Sequence, residues 1–264
     1  MTTPPAATNP TSTPGAPVAL ITGAGSGIGR AIASALALEG YGLALVGRRR
    51  DALVATASIV RTDRVLCIAA DLSRPGEAAR TVRECAHDFG RLDVLVHNAG
   101  LGRAAPIDTT SMHLVRETMQ VNALAPAEAT LEAWPTFMRQ RSGRVLFISS
   151  MAALDPFPGF FAYAASKGAM NMLAASVAKE GASVGVRAWA ICPGAVETDM
   201  LRASFDEAAL PRDQCLQPED VARVVVRCVR GELDARNGGP VPVLPPSARA
   251  WLKEWLAARD LSPA

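Results

Sequence analysis

Several residue types are scarce or badly placed in this chain, and each scarcity removes a class of function. Five cysteines stand at 67, 85, 192, 215 and 228; none forms a Cys-x-x-Cys pair and their number is odd. That pattern fits a reducing compartment without a disulfide framework. The three histidines, His87, His97 and His113, show no metal-ligand spacing with the cysteines, so no metal site is expected. No apolar run approaches the roughly 18 residues of a membrane helix. The formal net charge is only +2, too small to suggest a nucleic-acid binder. Residues 1–17 hold five prolines and no Lys or Arg. A secretory signal needs a basic start and an apolar stretch, and a transit peptide needs arginines. Residues 1–16 have neither and read as a disordered leader. The expected location is cytoplasmic.

What is present is an ordinary globular composition, 49% hydrophobic and 20% charged over 264 residues. Residues 17–264 suffice for one α/β domain with a real core. Short apolar runs predict strands at 18–22, 42–46, 65–69, 92–97, 144–149, 186–191 and 241–244. Several are apolar throughout, as strands buried on both faces require. Helix-length segments lie between them, at 29–39, 75–89, 111–140 and 162–179. This alternation predicts a Rossmann-type, doubly wound αβα sandwich around a parallel sheet of seven strands.

The first strand runs into Thr22-Gly23-Ala24-Gly25-Ser26-Gly27-Ile28-Gly29, and a helix follows. Glycines let backbone turn sharply and approach a pyrophosphate, and the helix N-terminus offers free N–H groups and partial positive charge. Further on, Tyr163 and Lys167 are four residues apart on a predicted helix, so they share a face. A free tyrosine holds its proton with a pKa of about 10. A unit positive charge about 5 Å away, at an effective dielectric of about 20, is worth roughly 3 kcal/mol, or about two pKa units toward tyrosinate. Burial opposes that shift. Ser150 closes the fifth strand, and a hydroxyl there can hold a substrate oxygen for proton transfer. Strand alternation turns Ser149 to the other face.

The glycine turn, Asn98-Ala99-Gly100, Asn122, Ser150, Tyr163-x-x-x-Lys167 and Pro193-Gly194 fall in one order and spacing. In this the chain resembles the short-chain dehydrogenase/reductase family, in its single-domain branch of roughly 250 residues. The nearest subgroup in appearance is the 3-oxoacyl-carrier-protein reductases. The resemblance implies an NAD(P)-dependent oxidoreductase that interconverts carbonyl and alcohol. It implies Asn122, Ser150, Tyr163 and Lys167 as catalytic, with Asn122 holding a water against the lysine. It implies cofactor contacts at Gly23, Gly25, Ser26, Gly27, Ile28 and Gly29, and at Asn98, Ala99 and Gly100. Further contacts are Asp71 and Leu72 beside the adenine, Tyr163 and Lys167, and Pro193, Gly194, Val196 and Thr198 near the carboxamide. Asp71 reads equally as a loop or cap residue. His97 replaces the family's first Asn and reads as structural, and Trp189 stands where many relatives have Asn.

The acidic residue that marks NAD users after the second strand is replaced by Gly47, and Arg48 follows. Arg48 can bond a 2′-phosphate bidentately, so NADP is the expected preference, with NAD possible. Ser26 occupies the turn position where many NADP users carry a second basic residue.

Phe157, Phe160 and Phe161, with Met151, Leu101, Met200, Leu201 and Phe205, can wall an apolar pocket; oligomer packing explains the phenylalanines equally well. Residues 199–217 read as a substrate lid. Arg103, Arg202 and Arg212 are too scattered to imply an acidic substrate. Trp251, Leu252, Trp255 and Leu256 make a helical stripe suited to core or subunit interface. The resemblance implies a homodimer or homotetramer through the helix carrying Tyr163. A catalytically idle nucleotide-binding scaffold has no need of an intact Ser–Tyr–Lys set. A nucleotide-sugar epimerase or dehydratase is disfavoured by the short chain and the glycine spacing.

Overall fold

The computed structural model describes residues 15–245. The leader up to residue 14 and the Trp251–Leu256 stripe lie outside the described residues. The strands are β1 (Val18–Thr22), β2 (Gly42–Gly47), β3 (Val65–Ala69), β4 (Val94–His97), β5 (Gly143–Ile148), β6 (Val186–Pro193) and β7 (Pro240–Val243). They form one parallel sheet in the order β3-β2-β1-β4-β5-β6-β7. The chain moves outward from β1 to β3, then crosses back beside β1 to start β4. That reversal opens a crevice at the carboxyl ends of β1 and β4.

The helices are α1 (Gly27–Leu38), α2 (Arg50–Ala57), α3 (Glu77–Phe89), α4 (Met112–Met119), α5 (Ala125–Gln140), α6 (Phe161–Gly181), α7 (Asp199–Arg202) and α8 (Pro218–Val229). Alternate strand residues feed two separate cores. Ala19, Ile21, Leu43 and Leu45 pack with α1 and α8 on one face. Leu20, Ala44, Leu95 and Phe147 pack with α3, α5 and α6 on the other. None of the described helices is long and apolar enough to cross a membrane.

Two predicted elements differ in detail. The last strand begins at Pro240 and contains Pro242; it pairs only with β6, and an edge strand tolerates residues without an N–H. The predicted 111–140 helix is interrupted by one π-turn at Gln120–Leu124, between α4 and α5. Pro126 has no N–H to give to the carbonyl of Asn122 four residues earlier, so one bond of the α-helical ladder is missing here; Pro135 removes another inside α5 without interrupting it. The Ala125 N–H bonds instead to the Gln120 carbonyl, five residues back.

Candidate active site

The crevice widens into a cavity of about 990 Å³ that runs from Arg48 and Asp71 to Tyr163 and Phe205. Its floor is backbone. Gly23 has φ +67°, and a Cβ there would sit 2.9 Å from the Ala99 Cα. Gly23, Gly25, Ser26, Gly27 and Ile28 line the space. Gly29 does not: a Cβ on it would meet the Gly23 carbonyl at 2.2 Å, so this glycine serves to press α1 against β1. Ser26 caps α1 in extended backbone but makes no side-chain capping bond. The first N–H groups of α1 are therefore left to an anion.

Residues outside the predicted set brace this turn. Thr56 donates its hydroxyl to the Ala24 carbonyl at 2.9 Å, and Arg30 donates to Gly25 O at 2.5 Å and to Thr56 Oγ1 at 3.2 Å. Asn98 gives its side-chain amide to the Thr22 and Gly23 carbonyls at 2.9 and 3.2 Å. Sequence spacing shows none of these long-range bonds; the one available signal is the run of polar residues around a glycine turn.

At the far end, the exposed Arg48 and Arg49 line the cavity, and their side chains make no hydrogen bond or salt bridge with a described residue. Asp71 is a loop residue on the cavity wall. It accepts from the Ser73 N–H and hydroxyl at 3.1 and 2.8 Å, and with Leu72 it lines the cavity. Hydrogen bonding from Ser73 holds its carboxyl below the usual range, with the charges of Arg74 and Arg48 assisting. A glycine floor, a helix N-terminus and two unpaired arginines fit the phosphates of a dinucleotide.

Ser150, Tyr163 and Lys167 converge at the other end. Ser150 Oγ accepts from the Ala152 N–H at 3.1 Å, and its hydroxyl favours the ionised form of Tyr163. Lys167 is buried one helical turn on; its Nζ donates to the Ile148 carbonyl at 2.7 Å and lies 5.5 Å from the Tyr163 ring centre. Burial lowers the lysine to about 8. Burial also raises Tyr163, against the Ser150 hydrogen bond. This corrects the expectation that Lys167 draws Tyr163 toward neutrality. In the protein alone, desolvation of the phenol is the largest influence on it. Ser149 also lines the cavity, but its hydroxyl is engaged, donating to the Lys167 carbonyl at 3.1 Å.

Asn122 sits behind the cavity wall rather than in it. Its amide donates to Leu101 O and Ser166 Oγ, both at 2.9 Å, and its Oδ1 accepts from the Leu101 N–H at 2.7 Å. Ser166, missed in the sequence, passes its own proton to the Tyr163 carbonyl at 2.7 Å. A polar residue on the buried face of an alanine-rich helix was its only signal.

The sequence matches the family described as short chain dehydrogenase over residues 17–209. The chain belongs to the short-chain dehydrogenase/reductase family. It is 36% identical over 205 residues to 2-(R)-hydroxypropyl-CoM dehydrogenase of Xanthobacter autotrophicus, covering 75% of this chain and 82% of that one. Its fold is similar to that of a 3-ketoacyl-(acyl-carrier-protein) reductase from Brucella melitensis complexed with NADH, with a TM-score of 0.81 and 26% identity over 87% of this chain and 97% of that one. It is similar too to a 7α-hydroxysteroid dehydrogenase complexed with NADH and 7-oxo glycochenodeoxycholic acid, with a TM-score of 0.82 and 25% identity over 87% and 93% of the two chains. The protein is an NAD(P)-binding oxidoreductase acting on carbonyl or alcohol groups.

Further family positions resolve as follows in this short-chain dehydrogenase. Ala99, Gly100, Pro193, Gly194, Val196 and Thr198 line the cavity. The Thr198 hydroxyl is spent locally, donating to Val196 O at 3.1 Å. His97 is structural: fully buried, it pairs with Thr130 Oγ1 at 3.0 Å, and burial lowers it to about 3. Trp189 finds its own acceptor in the Leu233 carbonyl at 2.8 Å.

On the substrate side, Phe157, Phe160, Phe205, Met151, Leu101 and Met200 line the cavity. Phe160 stacks on Phe205 with ring centres 6.0 Å apart and meets Tyr163 edge-on at 5.9 Å. Phe161 does not join them; it lies on the outer face of α6 and is 52% exposed. Arg103, Arg202 and Arg212 are paired with Glu117, Glu197 and Glu207, which leaves them no role toward an acidic substrate.

The Lys167 environment yields a stability test. Its pKa of about 8 lies below the ordinary 10.5. Between those values the unfolded chain binds more protons, so this group's contribution rises with pH from 8 to 10.5 and is most unfavourable below 8. The cost below pH 8 is about 3 kcal/mol; orphaning the Ile148 carbonyl costs about 1–3 kcal/mol. Lys167→Met should therefore unfold in urea near the wild-type midpoint at pH 7. Its stability relative to wild type should fall as pH rises toward 10. A loss of several kcal/mol at pH 7 would contradict the sign.

Proposed function

We propose that this enzyme interconverts a ketone, of 3-oxoacyl or similar apolar type, and a secondary alcohol. Tyr163 serves as general acid and base, and NADP(H) is preferred over NAD(H). The observation that carries the reading is the convergence of the Ser150 and Tyr163 hydroxyls on the cavity, one helical turn from a buried ammonium.

When bound, the nicotinamide supplies or takes the hydride. In reduction Tyr163 gives its phenolic proton to the carbonyl oxygen. Its raised pKa keeps that proton in place until substrate is bound, which suits an acid. Ser150 holds the same oxygen by a second hydrogen bond. Lys167 stabilises the phenolate as it forms, in a site dry enough for its charge to count. Asn122 supports the relay: its main-chain carbonyl, denied a donor by Pro126, holds a water against Lys167 through which the proton returns from solvent. The aromatic wall around Phe160 and Phe205 favours an apolar substituent on the ketone. Residues 199–217 act as the lid over it. An idle scaffold would gain nothing from a buried lysine that destabilises it.

Tyr163→Phe should bind NADPH within about twofold of wild type, read by fluorescence, while turnover at 340 nm falls by 10³-fold or more. Retained turnover would remove Tyr163 from the chemistry.

The cofactor preference rests on Gly47, which brings no carboxylate, and on the unpaired Arg48 and Arg49. A Cβ on Gly47 would touch only the flexible Leu53 side chain, at 3.2 Å, so substitution there tests charge rather than packing. Gly47→Asp should lower kcat/KM for NADPH at least tenfold relative to NADH. An unchanged ratio would clear Arg48 of the discriminating role.

We further propose a homo-oligomer through α5 and α6. Leu124, Leu131 and Met138 are exposed at sevenfold spacing across the π-turn and α5, and Phe161 and Met172 are exposed on α6, a larger apolar surface than a monomer needs. Light scattering should show a dimer or tetramer for wild type and a smaller species for Leu131→Glu; a wild-type monomer would end this proposal.

A further inference from the structure

The loop that walls the substrate side of the cavity is folded around one arginine. Its neck is closed by backbone: the Glu197 N–H bonds to Leu216 O at 2.8 Å, and the Leu216 N–H to Ala195 O at 2.9 Å. Between those points the backbone hydrogen bonds among the described residues are local, such as Phe205 to Leu201 and Leu210 to Asp206. A loop of this length without a core of its own needs another source of shape. Arg202 supplies it. Its Nε and Nη2 donate to the Glu197 carboxylate at 2.9 and 2.5 Å. Its Nη1 donates to the Leu210 carbonyl at 2.8 Å and the Phe205 carbonyl at 3.4 Å, and Nη2 reaches the Cys215 sulfur at 3.7 Å.

The positions of those acceptors matter. Phe205 and Leu210 both line the cavity, and Phe205 stacks on Phe160 beside Tyr163. Glu197 lies between Val196 and Thr198, which line the cavity near the Pro193-Gly194 segment. The pair is largely shielded, its side chains 18% and 14% exposed. Arg212 adds a second cation 3.4 Å from the same carboxylate. A planar five-donor group is the residue that can satisfy a carboxylate and two carbonyls together; a lysine cannot.

We propose that Arg202, held by Glu197, is the positioning residue that sets the Phe205–Leu210 wall and thereby decides how large a ketone reaches Tyr163. The inference rests on the proposed carbonyl reduction at this site. Arg202 touches neither the reacting atoms nor the phosphates' cradle, so its loss should act on KM for large substrates and leave the chemical step alone.

The test uses the full-length protein with NADPH, a small diketone (2,3-butanedione) and a bulky one (benzil). Arg202→Met should raise KM for benzil tenfold or more, with kcat on 2,3-butanedione within about threefold and NADPH affinity within about twofold of wild type. Glu197→Gln should do the same, and the double variant should be no worse than either single one, because both break one unit. Arg202→Lys should fall between. Equal effects on both diketones, or additive losses in the double variant, would overturn the assignment. Chymotrypsin cleavage after Phe205 is read in parallel and needs no turnover. If wild type reduces no carbonyl, the proposed reaction fails. The strut then stands if Arg202→Met is cut in this loop much faster than wild type, and falls if the two are cut alike.

Discussion

A single hydroxyl holds the fork of the sheet together. Thr22 Oγ1 accepts the backbone N–H groups of Asn98 and Ala99, both at 3.0 Å, and donates to the Val96 carbonyl at 3.3 Å. It is buried where β1 and β4 part company, and it supplies the Asn98 and Ala99 N–H groups with the partner they need beyond the end of β4. By fixing the 98–100 loop against the glycine turn, it gives the cavity its floor. The Leu101 clamp on Asn122 continues from the same loop, and Asn122 in turn reaches Ser166 and the helix that carries Tyr163 and Lys167. The floor, the π-turn and the catalytic helix are thus joined by one chain of short polar contacts across an otherwise apolar interior.

The fold was largely legible because its signals are local. Apolar runs such as Leu43–Val46 are buried on both faces of the sheet, and nothing competes with that reading. The glycine turn between β1 and α1 was legible for the same reason. What stayed hidden depends on contacts between distant segments. Thr56 and Arg30 brace the turn across more than twenty residues of sequence, and Arg30 gives no sign of which carbonyl it will find. The break in the 111–140 helix had a signal in Pro126, four residues after Asn122, but its meaning appears only when both residues are buried together. The Tyr163–Lys167 pair was located correctly and its electrostatics were not. A distance and a dielectric give the attraction, whereas the desolvation of both partners is a property of the packed site.

Stability and chemistry pull against each other at that site. The ammonium of Lys167 sits among the Ile148 carbonyl, the Met170 sulfur at 3.5 Å and the face of Tyr163, with no carboxylate to neutralise it among its recorded partners. A core selected for stability alone would place a hydrocarbon there. His97 shows the opposite solution nearby: a titratable ring kept neutral by its burial, with one hydroxyl at 3.0 Å and a phenylalanine ring 4.8 Å away as neighbours. The same interior therefore holds one titratable group that burial has silenced, on β4, and one on α6 that burial leaves partly charged near neutrality.

The π-turn also constrains how this chain can change in length. It carries one residue more than an α-helix would need to cover the same rise. That surplus residue lets α4 and α5 keep their helical phase, with Glu117 facing the cavity, while the local turn aims the Asn122 side chain at Leu101 and Ser166. A deletion among the exposed residues 206–209 would shorten a surface. A deletion at Asn122 would leave the flanking helices in phase yet remove the turn that aims this side chain, so the extra residue belongs to the site as much as any side chain does.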